Sequence, residues 1–121
     1  MRSIAEILEK CLDSGLSFAD QALRSEAEEF RVSADNLRTA MTGRLKDMEL
    51  SVTEAESGDY RGLIVPSEWR LVKEYGGRGA SFSSPYVIAA SRIAMAVATY
   101  NSAMGRIVAA PTAGSCGILP G

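Results

Sequence analysis

Ser84 to Gly105 reads SPYVIAASRIAMAVATYNSAMG. Ser84 offers a side-chain oxygen to cap a helix, Pro85 suits the first helical position because its missing N–H has no partner there, and Gly105 supplies a stop. The spacing predicts one helix of about twenty residues. Apolar and small side chains lie nearly all round it, which predicts a buried central helix. Ala89, Ala90, Ala94, Ala96 and Ala98 allow close helix packing. Arg92, Asn101 and several hydroxyl residues interrupt the apolar character, and its longest apolar run, Ile93 to Ala98, is too short to span a bilayer. A helix buried on all sides needs neighbours, and the rest of the chain offers mainly one-sided stripes. Part of its cover is therefore expected from chain or subunits beyond these residues, and a homo-oligomer is expected.

N-terminal to this helix the signals are helical as well. Ser3 with Glu6 has capping-box spacing and opens a short helix through about Asp13, with Ile4, Ile7, Leu8 and Cys11 on one face and Gly15 at its end. Cys11 is thereby expected to be a core residue. Ser17 with Asp20 repeats the starting signal for a second helix to Phe30, so a helical hairpin is expected. From Ser33, Leu37, Met41, Leu45, Met48 and Val52 recur at spacings of three and four, which predicts an amphipathic helix of about twenty residues. Arg38, Arg44, Lys46, Asp47 and Glu49 occupy its other side as a solvated face. Gly58, Gly62 and Pro66 then break the periodicity. RGLIV reads as an extended buried loop without a partner strand, a short helix is expected from about Ser67 to Tyr75, and Gly76, Gly77 and Gly79 return to loop. The fold class is all-α.

The chain has 121 residues, 46% of them hydrophobic and 23% charged, with a net charge of −2. That length supports one domain, residues 1–121, and the charge argues against nucleic-acid or anionic-membrane surfaces as partners. No continuous apolar segment follows the N-terminus, so a cytoplasmic location is expected. Histidine is absent, which removes the commonest general base near neutral pH and the commonest zinc ligand. Two cysteines at opposite ends do not form a disulfide framework.

The final stretch, APTAGSCGILPG from Ala110 to Gly121, is where chemistry is expected. Its glycines let backbone approach a ligand, Thr112 and Ser115 carry hydroxyls, and Cys116 lies among backbone N–H groups that can hold an anion or stabilise a thiolate. A Gly-rich connector with an incidental cysteine accounts for the same spacing, and a nucleophilic Cys116 activated by backbone dipoles or Arg106 is a further reading.

NSAMGRIVAAPTAGSCGILPG, Asn101 to Gly121, resembles the signature of the α chain of the iron–sulfur-dependent bacterial L-serine dehydratases. The likeness in layout extends over the whole chain. It implies an incomplete, all-helical catalytic domain whose relatives hold a [4Fe-4S] cluster through three cysteines and convert L-serine to pyruvate and ammonia by β-elimination. By this resemblance Cys116 takes the place of the first cluster ligand. Thr112, Gly114 and Ser115, with Asn101 at the head of the motif, would bind the substrate carboxylate or shape the pocket. The identity of the catalytic base is left open.

The family's other two cluster cysteines lie downstream of such a motif, so this chain is expected to be inactive and cluster-free by itself. It would need the remaining α-chain segment and a β chain or β domain as partners, with a small amino acid as substrate. A usual SGLTGGD turn is replaced by YRGLIVPSEW, Tyr60 to Trp69, which keeps Gly62 and Leu63 and loses the following Thr-Gly-Gly. That departure admits a relative acting on L-cysteine. The reading from a different class is a non-enzymatic helical module, a degenerate relative that folds by association.

Overall fold

A computed structural model of the chain describes residues 3–61, 68–79 and 82–121. Those residues form five α-helices and no strand, in agreement with the all-α expectation. They divide into two compact units, residues 1–43 and 44–121.

In the first unit, α1 (Ile4–Ser14) starts where its capping box requires: Ser3 Oγ accepts the Glu6 N–H at 3.2 Å and the Glu6 carboxylate accepts the Ser3 N–H at 3.3 Å. It stops at Gly15, whose φ of 68° is open to glycine at little cost, with the Gly15 N–H on the Cys11 carbonyl. Ser17 caps α2 (Phe18–Phe30) through the Asp20 N–H at 3.1 Å. The two helices pack as the expected hairpin, but its buried centre is polar. Gln21 and Ser25 are buried and bonded to each other at 3.2 Å, and Ser14 reaches Gln21 at 3.2 Å. The predicted α1 stripe is therefore not a core. Ile4 is 69% and Leu8 50% exposed, while Ile7 and Cys11 are half-buried. Two helices alone offer too little surface to enclose a four-residue stripe.

α3 (Ala34–Ser57) begins at Ser33, which accepts the Asn36 N–H at 3.1 Å. Its predicted apolar stripe holds in part: Val52 packs against the core and Leu37 and Met48 are half-buried, but Met41 and Leu45 are exposed, and the fully buried positions are Ser51 and Ala55, one turn apart. Ala55 belongs to the core described below. The Ser51 hydroxyl, which would be costly to bury unbonded, donates to the Met48 carbonyl at 2.6 Å. Arg38 lies 3.6 Å from Asp20, an exposed pair of small energetic weight.

The second unit contains the C-terminal half of α3, α4 (Trp69–Gly77) and α5 (Pro85–Ser102). Its core is Ala55, Trp69, Ala96, Val97 and Cys116, with Val52, Ile93, Tyr100 and Ile107 packed around them. Gly76 and Gly77 lie inside α4 rather than in a following loop, and at Gly76 packing is the reason. A Cβ at Gly76 would come within 2.7 Å of Ile88 Cγ2, so the glycine lets α4 lie against α5. Arg70 ties the end of α3 to α4 by donating to Asp59 at 2.6 Å and to the Gly58 carbonyl at 3.0 Å, and that bond holds the Asp59 carboxyl below its ordinary value. The YRGLIVPSEW reading falls largely on residues 62–67, outside the described residues.

α5 begins as the sequence predicts, with Ser84 Oγ accepting the Val87 N–H at 3.3 Å and Pro85 in the first turn. Ser84→Ala removes that acceptor and is expected to cost about 1 kcal/mol, read as a lower midpoint in urea with an unchanged slope. Ala96, Val97 and Thr99 are buried, whereas Tyr86 and Val87 in the first turn are exposed. The core is thus made by the C-terminal half of the helix. No helix among the described residues is long and apolar enough to cross a membrane.

Candidate functional site

The chain leaves α5 through Met104, which takes the left-handed conformation at φ 65°. Gly105, predicted as the stop, helps close the helix end: its N–H reaches the Tyr100 carbonyl at 2.8 Å while the Met104 N–H reaches that of Asn101 at 3.0 Å, and a Cβ at Gly105 would come within 2.5 Å of the Tyr100 ring. The return places Arg106 against Asp47 at 2.8 Å. One residue of the charged α3 face expected to be merely solvated therefore anchors the connection. Nothing in the sequence spacing distinguishes Asp47 from its acidic neighbours.

At the end of that return, Thr112 to Ser115 close a tight turn around a single 3-10 turn, Ala113–Ser115. Ser115 Oγ is 2.9 Å from the Ala110 carbonyl and 3.1 Å from that of Thr112, and it accepts the Thr112 N–H at 3.3 Å. Thr112 Oγ1 lies 3.0 Å from the same atom. From the last turn of α5, Asn101 Nδ2 donates to the Ala113 carbonyl at 3.0 Å. Four residues singled out in the sequence thus meet at one junction of helix and loop, in different capacities. Thr112 and Gly114 are exposed, Asn101 is half-buried and holds the loop to the helix, and Ser115 is engaged within the loop.

Cys116 faces the other way. It is 1% exposed and belongs to the core with Ala96 and Val97. Burial pushes its thiol above the ordinary value, and its N–H is bonded to the Ala113 carbonyl at 3.3 Å. Its N–H is thus not a free donor, and burial favours the neutral thiol. Cys11 belongs to the first unit.

The loop can bury Cys116 because Gly117 and Gly121 rest on α5 itself. A Cβ at Gly117 would run into the Ala94 carbonyl, and one at Gly121 would lie 2.5 Å from the Ala90 carbonyl. The sequence presents the small residues Ala90 and Ala94 as surfaces for a neighbouring helix; their close neighbour is this loop. Its glycines carried the missing signal, since close approach needs a residue without Cβ on one side and a small one on the other.

The Cys116 sulfur packs among apolar side chains, and no group of three or more His, Cys, Asp or Glu side chains that could hold a metal occurs among the described residues. A separate concavity of about 310 Å³ lies between α4 and α5, lined in part by Lys73, Gly76, Ile88 and Arg92. Arg92 Nη1 is 2.5 Å from Glu56 Oε1, an ion pair without good hydrogen-bond alignment. Glu56 thus offsets one of the two cations.

A family model described as serine dehydratase alpha chain matches residues 3–121. The L-serine dehydratase alpha chain of Peptoniphilus asaccharolyticus is 27% identical over 124 residues, covering 99% of this chain and 42% of that protein. A probable L-serine dehydratase alpha chain of Bacillus subtilis (strain 168) is 30% identical over 122 residues, covering 99% of this chain and 40% of that protein. The chain therefore spans about two-fifths of the length of these curated relatives. No solved structure matches it.

Proposed function

Because this chain belongs to the serine dehydratase alpha chain family, we propose that it forms part of an enzyme that deaminates L-serine to pyruvate and ammonia, and that it works there together with the remaining alpha-chain segment and a β chain or β domain. The observation that supports a role in substrate binding is the junction of Asn101 with the Thr112–Ser115 turn. Its exposed rim offers the Thr112 hydroxyl and the backbone at Gly114 to a carboxylate, while Asn101 and Ser115 hold that rim in place.

Gly114 gives the proposal a clean probe. The nearest atom to a Cβ there is Thr112 Oγ1 at 3.9 Å, and its backbone is not in the left-handed region, so the loop itself does not require glycine. Close approach of a substrate is then the reason for one. In the assembled enzyme, Gly114→Val is expected to raise KM for L-serine about 10- to 100-fold, matching the loss of a hydrogen bond to a charged group, with the melting temperature unchanged. Pyruvate release measured on L-serine, with sulfide release on L-cysteine alongside, reads the effect and the substrate preference together. Wild-type kinetics in the variant would remove this loop from the substrate site.

In the enzyme's chemistry this chain's part is to bind and orient. The described residues contain no histidine, and no proton transfer is assigned to them. A second reading, an association module without its own activity, is favoured by one observation: Leu12 is 85% exposed beside Ile4 and Leu8. Light scattering separates the readings, because this one requires a stable oligomer of the chain alone.

A further inference from the structure

One side of α5 is left open beside the C-terminal loop. We infer that the remaining alpha-chain segment of the enzyme proposed above packs a helix onto this side, over Val87, Ser91, Met95 and Ala98 and against Ile118 and Leu119 of the loop.

α5 holds a single charged residue, Arg92, and that one is paired with Glu56. Around the helix, Ala96, Val97 and Thr99 enter the core, while Gly117 and Gly121 of the loop rest on Ala94 and Ala90. Val87, Ser91, Met95 and Ala98 recur at spacings of three and four, so they share the next side, and all four are exposed. They form an uncharged strip about 17 Å long, three turns of helix. A side built for water is different: α3 exposes Arg38, Arg44, Lys46 and Glu49. The loop borders the strip, because Ala90 and Ala94 lie next to Val87 and Ala98 around the helix, and its own Ile118 and Leu119 are exposed between the two glycine contacts. Contiguous apolar surface of this kind marks a protein contact. Ser91 and Ala98 are small enough to let a helix approach closely, and Val87 and Met95 supply contact area.

The length of the relatives selects the occupant. This chain covers 42% and 40% of them, so each has more polypeptide outside the matched part than inside it. Seated on the strip and on Ile118 and Leu119, that polypeptide would also hold from outside the loop whose other end carries the Thr112–Ser115 rim. Assembly of the enzyme and order at the substrate rim are thereby linked.

The inference rests on the serine dehydratase reading, and methionine oxidation tests it without turnover. Limited hydrogen peroxide converts accessible methionine to the sulfoxide, and peptide mass spectrometry reads each site. Met95 is 38% exposed in this chain and open to the reagent. In the assembled enzyme its oxidation is expected to slow at least about tenfold, and to do so with the alpha-chain segment present before the β chain or β domain is added. Met95→Glu is expected to leave the melting temperature of this chain unchanged and to cut recovery of the assembled enzyme at least about fivefold, since the contact would bury a charge. Equal oxidation of Met95 in chain and enzyme would overturn the inference, as would normal assembly of Met95→Glu. So would protection that appears only with the β chain or β domain, or protection of the chain alone that grows with its concentration, which means a second copy. An enzyme that protects Met95 and deaminates no serine would sink the proposed function and leave this docking standing.

Discussion

Gly117→Ala is expected to lift the C-terminal loop from α5 and to destabilise the protein by about 1–3 kcal/mol, the usual range for forced overpacking. The added Cβ would enter the Ala94 carbonyl and lie 2.9 Å from both Ala94 Cα and its carbonyl carbon. Those are backbone atoms inside a helix, so no rotamer change relieves the clash. The loop has to move, and its movement exposes Cys116, which is otherwise sealed beneath it. It also draws the Ala113 carbonyl from Asn101, so the proposed substrate rim should lose its position and serine turnover should fall with stability. Gly114→Ala is the control, since its Cβ meets nothing closer than 3.9 Å. Calorimetric melting of both variants checks the argument. Gly117→Ala melting with the wild type would mean that the loop does not rest on Ala94 as described.

That contrast between two glycines three residues apart marks what could be read from sequence. Local signals were legible wherever one residue type satisfies one backbone group. Ser3 with Glu6, Ser17 with Asp20, and Ser84 before Pro85 located helix starts, because the capping oxygen and the orphan N–H it accepts lie within three residues of each other. The meeting of Asn101 with the Thr112–Ser115 turn was legible through the resemblance of the whole motif, and its geometry was not. Periodicity failed where the partner surface decides. Met41 and Leu45 fit a helical stripe and are exposed, while Ser51 and Ala55 are buried, Ala55 in the core around Trp69. The same cause hid the burial of Cys116. A sequence presents its sulfur as a ligand or a nucleophile, and its place beside Ala96 and Val97 is visible only in the packing.

Trp69→Ala is expected to produce the largest loss of stability, about 3–5 kcal/mol, as for other buried aromatic truncations. Trp69 is 4% exposed at the first turn of α4 and is by far the largest member of the core. The other buried members are Ala55 of α3, Ala96 and Val97 of α5, and Cys116 of the loop, so this one ring fills the space where three helices and the loop converge. The other buried members are too small to fill the hole, and Val52, Ile93, Tyr100 and Ile107 at its edge can fill it only in part, so a cavity term adds to the lost transfer free energy. The Arg70 guanidinium, 5.3 Å from the ring centroid, contributes less, because it is exposed and keeps its bonds to Asp59 and Gly58 without the indole. Trp69→Phe, which retains part of the volume, should therefore recover most of the loss. Urea unfolding followed by circular dichroism measures all three proteins, and the chain's single tryptophan makes wild-type fluorescence a direct report of this core. A loss below about 1 kcal/mol for Trp69→Ala would place the indole outside a close-packed core and would remove the common anchor proposed for α3, α4, α5 and the loop.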